Sequence, residues 1–189
     1  MKKSLTMILL TTATLLSLAS CKEKKAEDNG IIKTDYEAPK PTEPKALNSD
    51  FYEQNVEWID GKTYRVNIGR VAIPSLPKVK DANGQEYVDN TVLVEVTRAD
   101  STVFFKQIFE KKTFTEWLNK DYQEKAIMTG ISFLETDGNK LKFIASLNYP
   151  DAGDDESLDL LLQLDSQGHV SISPFTYNDR DDLDVRGQE

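Results

Sequence analysis

Cysteine and histidine are almost absent: the 189 residues hold one of each, Cys21 and His169. One cysteine cannot form an internal disulfide, and thiolate zinc sites need several. A serine triad would have to use His169, and no Gly-x-Ser-x-Gly elbow accompanies it. Basic charge is also short, with 23 Lys and Arg against 32 Asp and Glu and a net charge of -9. A nucleic-acid partner requires a basic face, and none is evident. Long apolar runs are missing beyond the first 20 residues, so no later segment approaches the ~20 residues of a membrane-spanning helix.

The start of the chain is different. Lys2 and Lys3 precede an apolar core from Leu5 to about Leu16, and the small residues Ala19 and Ser20 precede Cys21. This is the layout of a secretory signal peptide over residues 1–20. The quartet Leu18-Ala19-Ser20-Cys21 resembles the lipobox of bacterial lipoproteins. That resemblance implies cleavage before Cys21 and acylation of its sulfur and new amino group. One acyl chain holds a protein to a bilayer only marginally, whereas two or more hold it stably. The expected membrane partner is therefore the lipid bilayer, reached through acylated Cys21.

Residues 21–50 read as the lipidated cysteine and a disordered tether. They mix charges, carry Pro39, Pro41 and Pro44, and offer few large apolar groups to offset ordering entropy. Fully extended, such a segment reaches about 100 Å; as a coil, about 30 Å is typical.

Residues 51–175 read as one mostly-β globular domain. The turn pairs Asp60-Gly61, Asp137-Gly138 and Gln167-Gly168 separate alternating runs, and Asn83-Gly84 marks a further turn. Between residues 70 and 90, Pro74 and Pro77 end strand pairing, so an excursion or edge segment is expected there. Val92, Val94 and Val96 share one face of a strand, with Leu93, Glu95 and Thr97 on the other. Leu158, Leu160, Leu162 and Leu164 alternate in the same way. Thr113 and Glu116 have the spacing of a capping box, which predicts one helix over about 113–126 with Phe114, Trp117, Leu118, Tyr122 and Ala126 on its inner stripe. The fold class is α+β and mainly antiparallel β, with about eight strands in successive hairpins. A curved open sheet, a half-barrel and a sandwich all fit. Residues 176–189 read as an acidic disordered tail: from Pro150 to the end there are 11 acidic and 2 basic side chains.

Candidate chemistry is sparse. No catalytic residue is assigned, and no cofactor is implied. His169 follows Gly168 at a hairpin tip and reads as a turn residue. Glu57, Glu95 and Glu135 lie on strands opposite the apolar face, as solvated charge does. Calcium needs six to eight oxygens from a loop that can wrap it. Asp151, Asp154, Asp155 and Glu156 form the first candidate cluster, and the run from Asn178 to Asp184 forms a second; neither has the order of an EF-hand. Asp100-Ser101-Thr102 resembles the short motif O-glycosylated in Bacteroidetes envelopes, which makes Ser101 a candidate modification site.

The run from Asn55 to Phe109, "NVEWIDGKTYRVNIG…TVFFKQIF", resembles a family of uncharacterised Bacteroidetes lipoproteins, the domain of unknown function numbered 4738. The resemblance covers roughly Phe51 to Ser173 together with the lipobox. It implies an outer-membrane location, periplasmic or surface-facing, and carries no catalytic residues. The function expected from these features is a non-enzymatic envelope lipoprotein that binds a protein or small ligand. The alternative is a carboxylate-based hydrolase acting on envelope or extracellular glycans, which needs two facing carboxylates roughly 5 to 9.5 Å apart. A purely structural spacer or inhibitor is the third reading.

Overall fold

Hairpins of adjacent strands generate nearly all of this architecture. The computed structural model describes residues 42–152 and 157–175, all within one compact unit. The first sheet contains β1 (Asp50–Trp58), β2 (Lys62–Ala72), β5 (Asn90–Arg98) and β6 (Val103–Glu110), in the order β1-β2-β5-β6. The second contains β7 (Ile127–Asp137), β8 (Lys140–Asn148), β9 (Leu158–Asp165) and β10 (Val170–Pro174), in the order β10-β9-β8-β7. A small third sheet pairs β3 (Val79–Lys80) with β4 (Glu86–Tyr87). All strand pairs within these sheets are antiparallel. The sheets' outer strands do not pair with one another, so neither sheet closes into a barrel.

The turn chemistry follows the sequence. Asp60 (φ 57°) and Gly61 (φ 68°) both adopt left-handed backbone between β1 and β2, the twist a tight hairpin needs. Alternation then sorts the side chains. Tyr64, Val66 and Ile68 of β2 face inward with Val92, Val94 and Val96 of β5, and all six are buried. Fully burying each such side chain contributes about 1.5–3 kcal/mol. Leu141, Phe143, Ala145 and Leu147 of β8 meet Leu160, Leu162 and Leu164 of β9 in the same core. The two four-stranded sheets therefore share one interior. A bulge in β6 opposite Val96–Thr97 lets Phe104 as well as Phe105 pack inward. There Phe104 makes edge contacts with Trp58 and Tyr64, at centroid distances of 5.2 and 5.8 Å.

The excursion lies between Ala72 and Asn90, which are themselves paired in the β2–β5 ladder. It carries β3 and β4, and Lys45 bridges to Tyr87 beside it. The described end of the expected tether, residues 42–49, is thus partly docked: Val88 N–H donates to Lys45 O at 2.8 Å.

The segment expected as one helix is divided. A 3-10 helix runs Lys111–Trp117, Leu118 is extended, and α1 spans Lys120–Lys125. Glu110, rather than Thr113, occupies the cap position: Thr113 Oγ1 accepts from Glu110 N–H at 3.2 Å. Asn119 then starts α1 afresh, its Oδ1 accepting from Tyr122 N–H at 3.0 Å. Phe114 and Trp117, three residues apart, lie one above the other on a 3-10 helix, so the tighter turn satisfies the same apolar spacing. No helix among the described residues is long and apolar enough to cross a membrane.

Candidate functional site

Strand β7 lies against β5, β2 and β1 in turn, and this crossing assembles two polar clusters. The first is closed. Asp89, 3% exposed, accepts from Asn90 N–H at 2.8 Å and Met128 N–H at 2.9 Å through Oδ1. Its Oδ2 lies 3.4 Å from Lys111 Nζ, which also donates to Ala126 O at 2.7 Å. Asn90 Nδ2 donates to Met128 O at 2.8 Å. The cluster ties the excursion, the 3-10 helix and the start of β7 together, and its nearly full satisfaction marks it as structural.

The second cluster is open. Along β2 the inward positions run Tyr64, Val66, Ile68 and then Arg70, so a cation stands where alternation places the next apolar residue. A bulge between Met128 and Gly130 removes Thr129 from the β7–β8 register. The freed Thr129 carbonyl accepts from Arg70 Nη1, and Arg70 Nη2 donates to Asn48 O at 2.9 Å. Arg70 Nε is buried without a partner among the described residues. Bulges recur beside sites because they re-aim backbone groups.

Asp159 faces this region from β9, on the side opposite Leu158 and Leu160. Its Oδ1 accepts from Ser146 Oγ at 2.7 Å and Ser157 Oγ at 2.9 Å. Together with Asp50, Tyr52, Ser132 and Asn148, these groups line a cavity of 420 Å³. One cation, two carboxylates and several hydroxyls converge there, with Tyr52 half-exposed among them. Such a lining suits a ligand that both donates and accepts hydrogen bonds.

The residues singled out in the sequence lie elsewhere. His169 sits at the β9–β10 tip, largely exposed, with Nδ1 3.2 Å from Asp165 Oδ2. Its backbone N–H, more than any other group, holds the Asp165 carboxyl below the usual carboxylate range. This is turn chemistry. Glu95 pairs with Lys106 at 2.6 Å and Glu135 with Lys142 at 2.7 Å, while Glu57 is exposed. Burial works against the Lys142 charge, but hydrogen bonds to Asp137 and Glu135 outweigh it and raise its pKa. Ser101 occupies the β5–β6 tip in left-handed conformation (φ 67°), beside an Asp100 carboxylate that accepts from Thr102 N–H and Oγ1. Asp151 borders a separate 650 Å³ groove with Asp121, Glu124 and three lysines. Among the described residues no three acidic, histidine or cysteine side chains gather as a metal site. Asp154, Asp155 and Glu156 lie outside the described residues, as do Cys21, the signal peptide, residues 22–41, the run from Asn178 to Asp184 and the tail.

Sequence reasoning missed Arg70 and Asp159. The only local signal was a charge at an inward position of an otherwise apolar alternation.

A family model described as a domain of unknown function, DUF4738, matches residues 31–172, and the chain belongs to that family. The match begins before the described body of the domain, at Ile31. No curated protein matches the chain.

Proposed function

We propose that this chain is a lipid-anchored envelope lipoprotein of the Bacteroidetes kind, held at the outer membrane, whose β domain binds a small polar ligand in the cavity where β1 and β2 meet β7. The anchor rests on the signal-peptide layout and the quartet ending at Cys21. Replacing Cys21 with Ala should move the protein out of the membrane fraction and stop incorporation of labelled fatty acid. Retention in the membrane with Cys21→Ala would reject the anchor.

The binding role rests on one observation above the others: among the described residues Arg70 Nε is buried and unpartnered, beside a cavity that also holds Asp159 and Asp50. A buried donor without a partner costs about 1–3 kcal/mol, a cost a ligand oxygen would remove. The test is calorimetric titration with mono- and disaccharides, amino acids and dipeptides, followed by Arg70→Met against whichever class binds. Binding that Arg70→Met abolishes supports the reading; binding indifferent to Arg70 refutes it.

The hydrolase reading keeps one supporting observation, that Asp50 and Asp159 line the same cavity. It predicts release of reducing ends from envelope glycans and loss of that release in Asp159→Asn. No release from any glycan that binds would leave a binding protein.

A further inference from the structure

An outermost strand presents a row of N–H and C=O groups to any extended chain that comes alongside, and natural sheets blunt that offer. Among the described residues, three of the four outermost strands of the two large sheets are blunted. β6 is bulged and carries Lys106. β7 has two register breaks, at Met128/Gly130 and Phe133/Glu135, and lies against the first sheet. β10 has five residues and ends in Pro174. β1 has no such device. Its nine residues pair with β2 in unbroken register from Asp50↔Arg70 to Trp58↔Lys62, without proline, lysine or bulge. Its first six residues are exposed, and among the described residues no strand lies on its other side.

What β1 does carry is charge of one sign: Asp50, Glu53 and Glu57, with no basic residue. Two copies joined through β1 would set six carboxylates along one seam, and like charges across a strand pair repel. The acids therefore discourage a second copy while leaving the edge open to a strand of opposite charge. Alternation places Phe51, Glu53 and Glu57 on one face. Phe51 is 75% exposed there, and among the described residues Glu53 is held only by an exposed contact with Arg65 at 3.8 Å.

The geometry points to β1 as a docking strand for an extended basic segment of a partner protein. That segment adds to the first sheet by backbone hydrogen bonds, with lysines or arginines four residues apart beside Glu53 and Glu57 and an apolar side chain against Phe51. The docking rests on Phe51, Glu53 and Glu57, none of which lines the polar cavity, although Asp50 and Tyr52 of the same strand do.

The probe is a nine-residue peptide of Thr and Val with two lysines four apart, titrated into the full chain beside its glutamate counterpart. Amide exchange is followed by NMR. Neighbouring N–H groups on a strand point to opposite sides, so one of Gln54→Pro and Asn55→Pro spares the β1–β2 ladder; the variant that keeps the wild-type melting temperature is the informative one. The lysine peptide should bind at least tenfold tighter than the glutamate peptide and slow exchange at alternate β1 amides. The spared proline variant should lose at least tenfold in affinity, and the double charge reversal Glu53→Lys, Glu57→Lys should invert the peptide preference. Affinity unchanged by the proline would show plain charge attraction and overturn the proposal. So would protection of β1 amides by self-association, or peptide binding that appears only after residues 22–41 are removed.

Discussion

Met128 and Thr129 are neighbours in one strand, yet they belong to polar clusters of opposite character. Around Met128, Asp89, Lys111 and Asn90 satisfy one another and the backbone, and only Asn90 Oδ1 lacks a partner among the described residues. Around Thr129, the bulge frees a carbonyl, Arg70 retains a donor unused among the described residues, and a cavity adjoins them. A closed network holds elements together, and its energy is spent within the fold. An open one leaves hydrogen-bonding capacity for something else.

Substitutions can test that contrast. The largest effect should come from Asp89→Ala, which leaves two backbone N–H groups without their acceptor and a mostly buried Lys111 without its counter-charge. Urea denaturation should show a loss of about 3–5 kcal/mol. Lys111→Met keeps the aliphatic stem and leaves Asp89 its two backbone donors, so the loss should be nearer about 2 kcal/mol. Arg70→Met should cost less than about 1 kcal/mol, because its bonds go to backbone carbonyls of the exposed Asn48 and the half-buried Thr129, yet it should remove ligand binding. A loss as large as that of Asp89→Ala would make the Arg70 cluster a second structural clamp and erase the distinction.

The smallest effect belongs to an exposed polar cluster. Asp165 accepts from the backbone N–H groups of His169 and Gln167 at the β9–β10 tip, and its folded pKa lies below its unfolded value of 3.8. A depressed carboxylate stabilises above the unfolded pKa and loses that contribution as pH falls through the folded value. Below about pH 4, protection of the tip amides, measured against their intrinsic exchange rates, should fall. Unchanged protection of the tip across that range would contradict the assignment.

The hairpins were legible because each depends on neighbours in sequence. Asp60-Gly61, Asn83-Gly84, Asp137-Gly138 and Gln167-Gly168 all mark turns, with each glycine at positive φ. The Val92-Val94-Val96 alternation likewise survives intact, as does the excursion opened by Pro74. The helix over 113–126 was legible as an apolar stripe, but 3-10 and α spacing both accommodate Phe114 and Trp117. Only the Asn119 cap separates the two. The site was barely legible, because Arg70, Thr129 and Asp159 come from three strands in two sheets. Their meeting depends on how β7 crosses β2, and no local pattern encodes a crossing.

The excursion between Ala72 and Asn90 also bears on how fast the chain reaches this state. Every other strand pairing within the two large sheets joins consecutive strands through a local connection, whereas β2 and β5 must meet across residues 73–89. Each doubling of loop length adds about 0.6 kcal/mol of closure entropy, and rates fall as contacts become less local. The first sheet should thus nucleate as two separate hairpins whose joining limits the rate, while the second can zip from any of its turns. The Asp89 clamp, sitting at the far end of that excursion, would then form late and act mainly to slow unfolding.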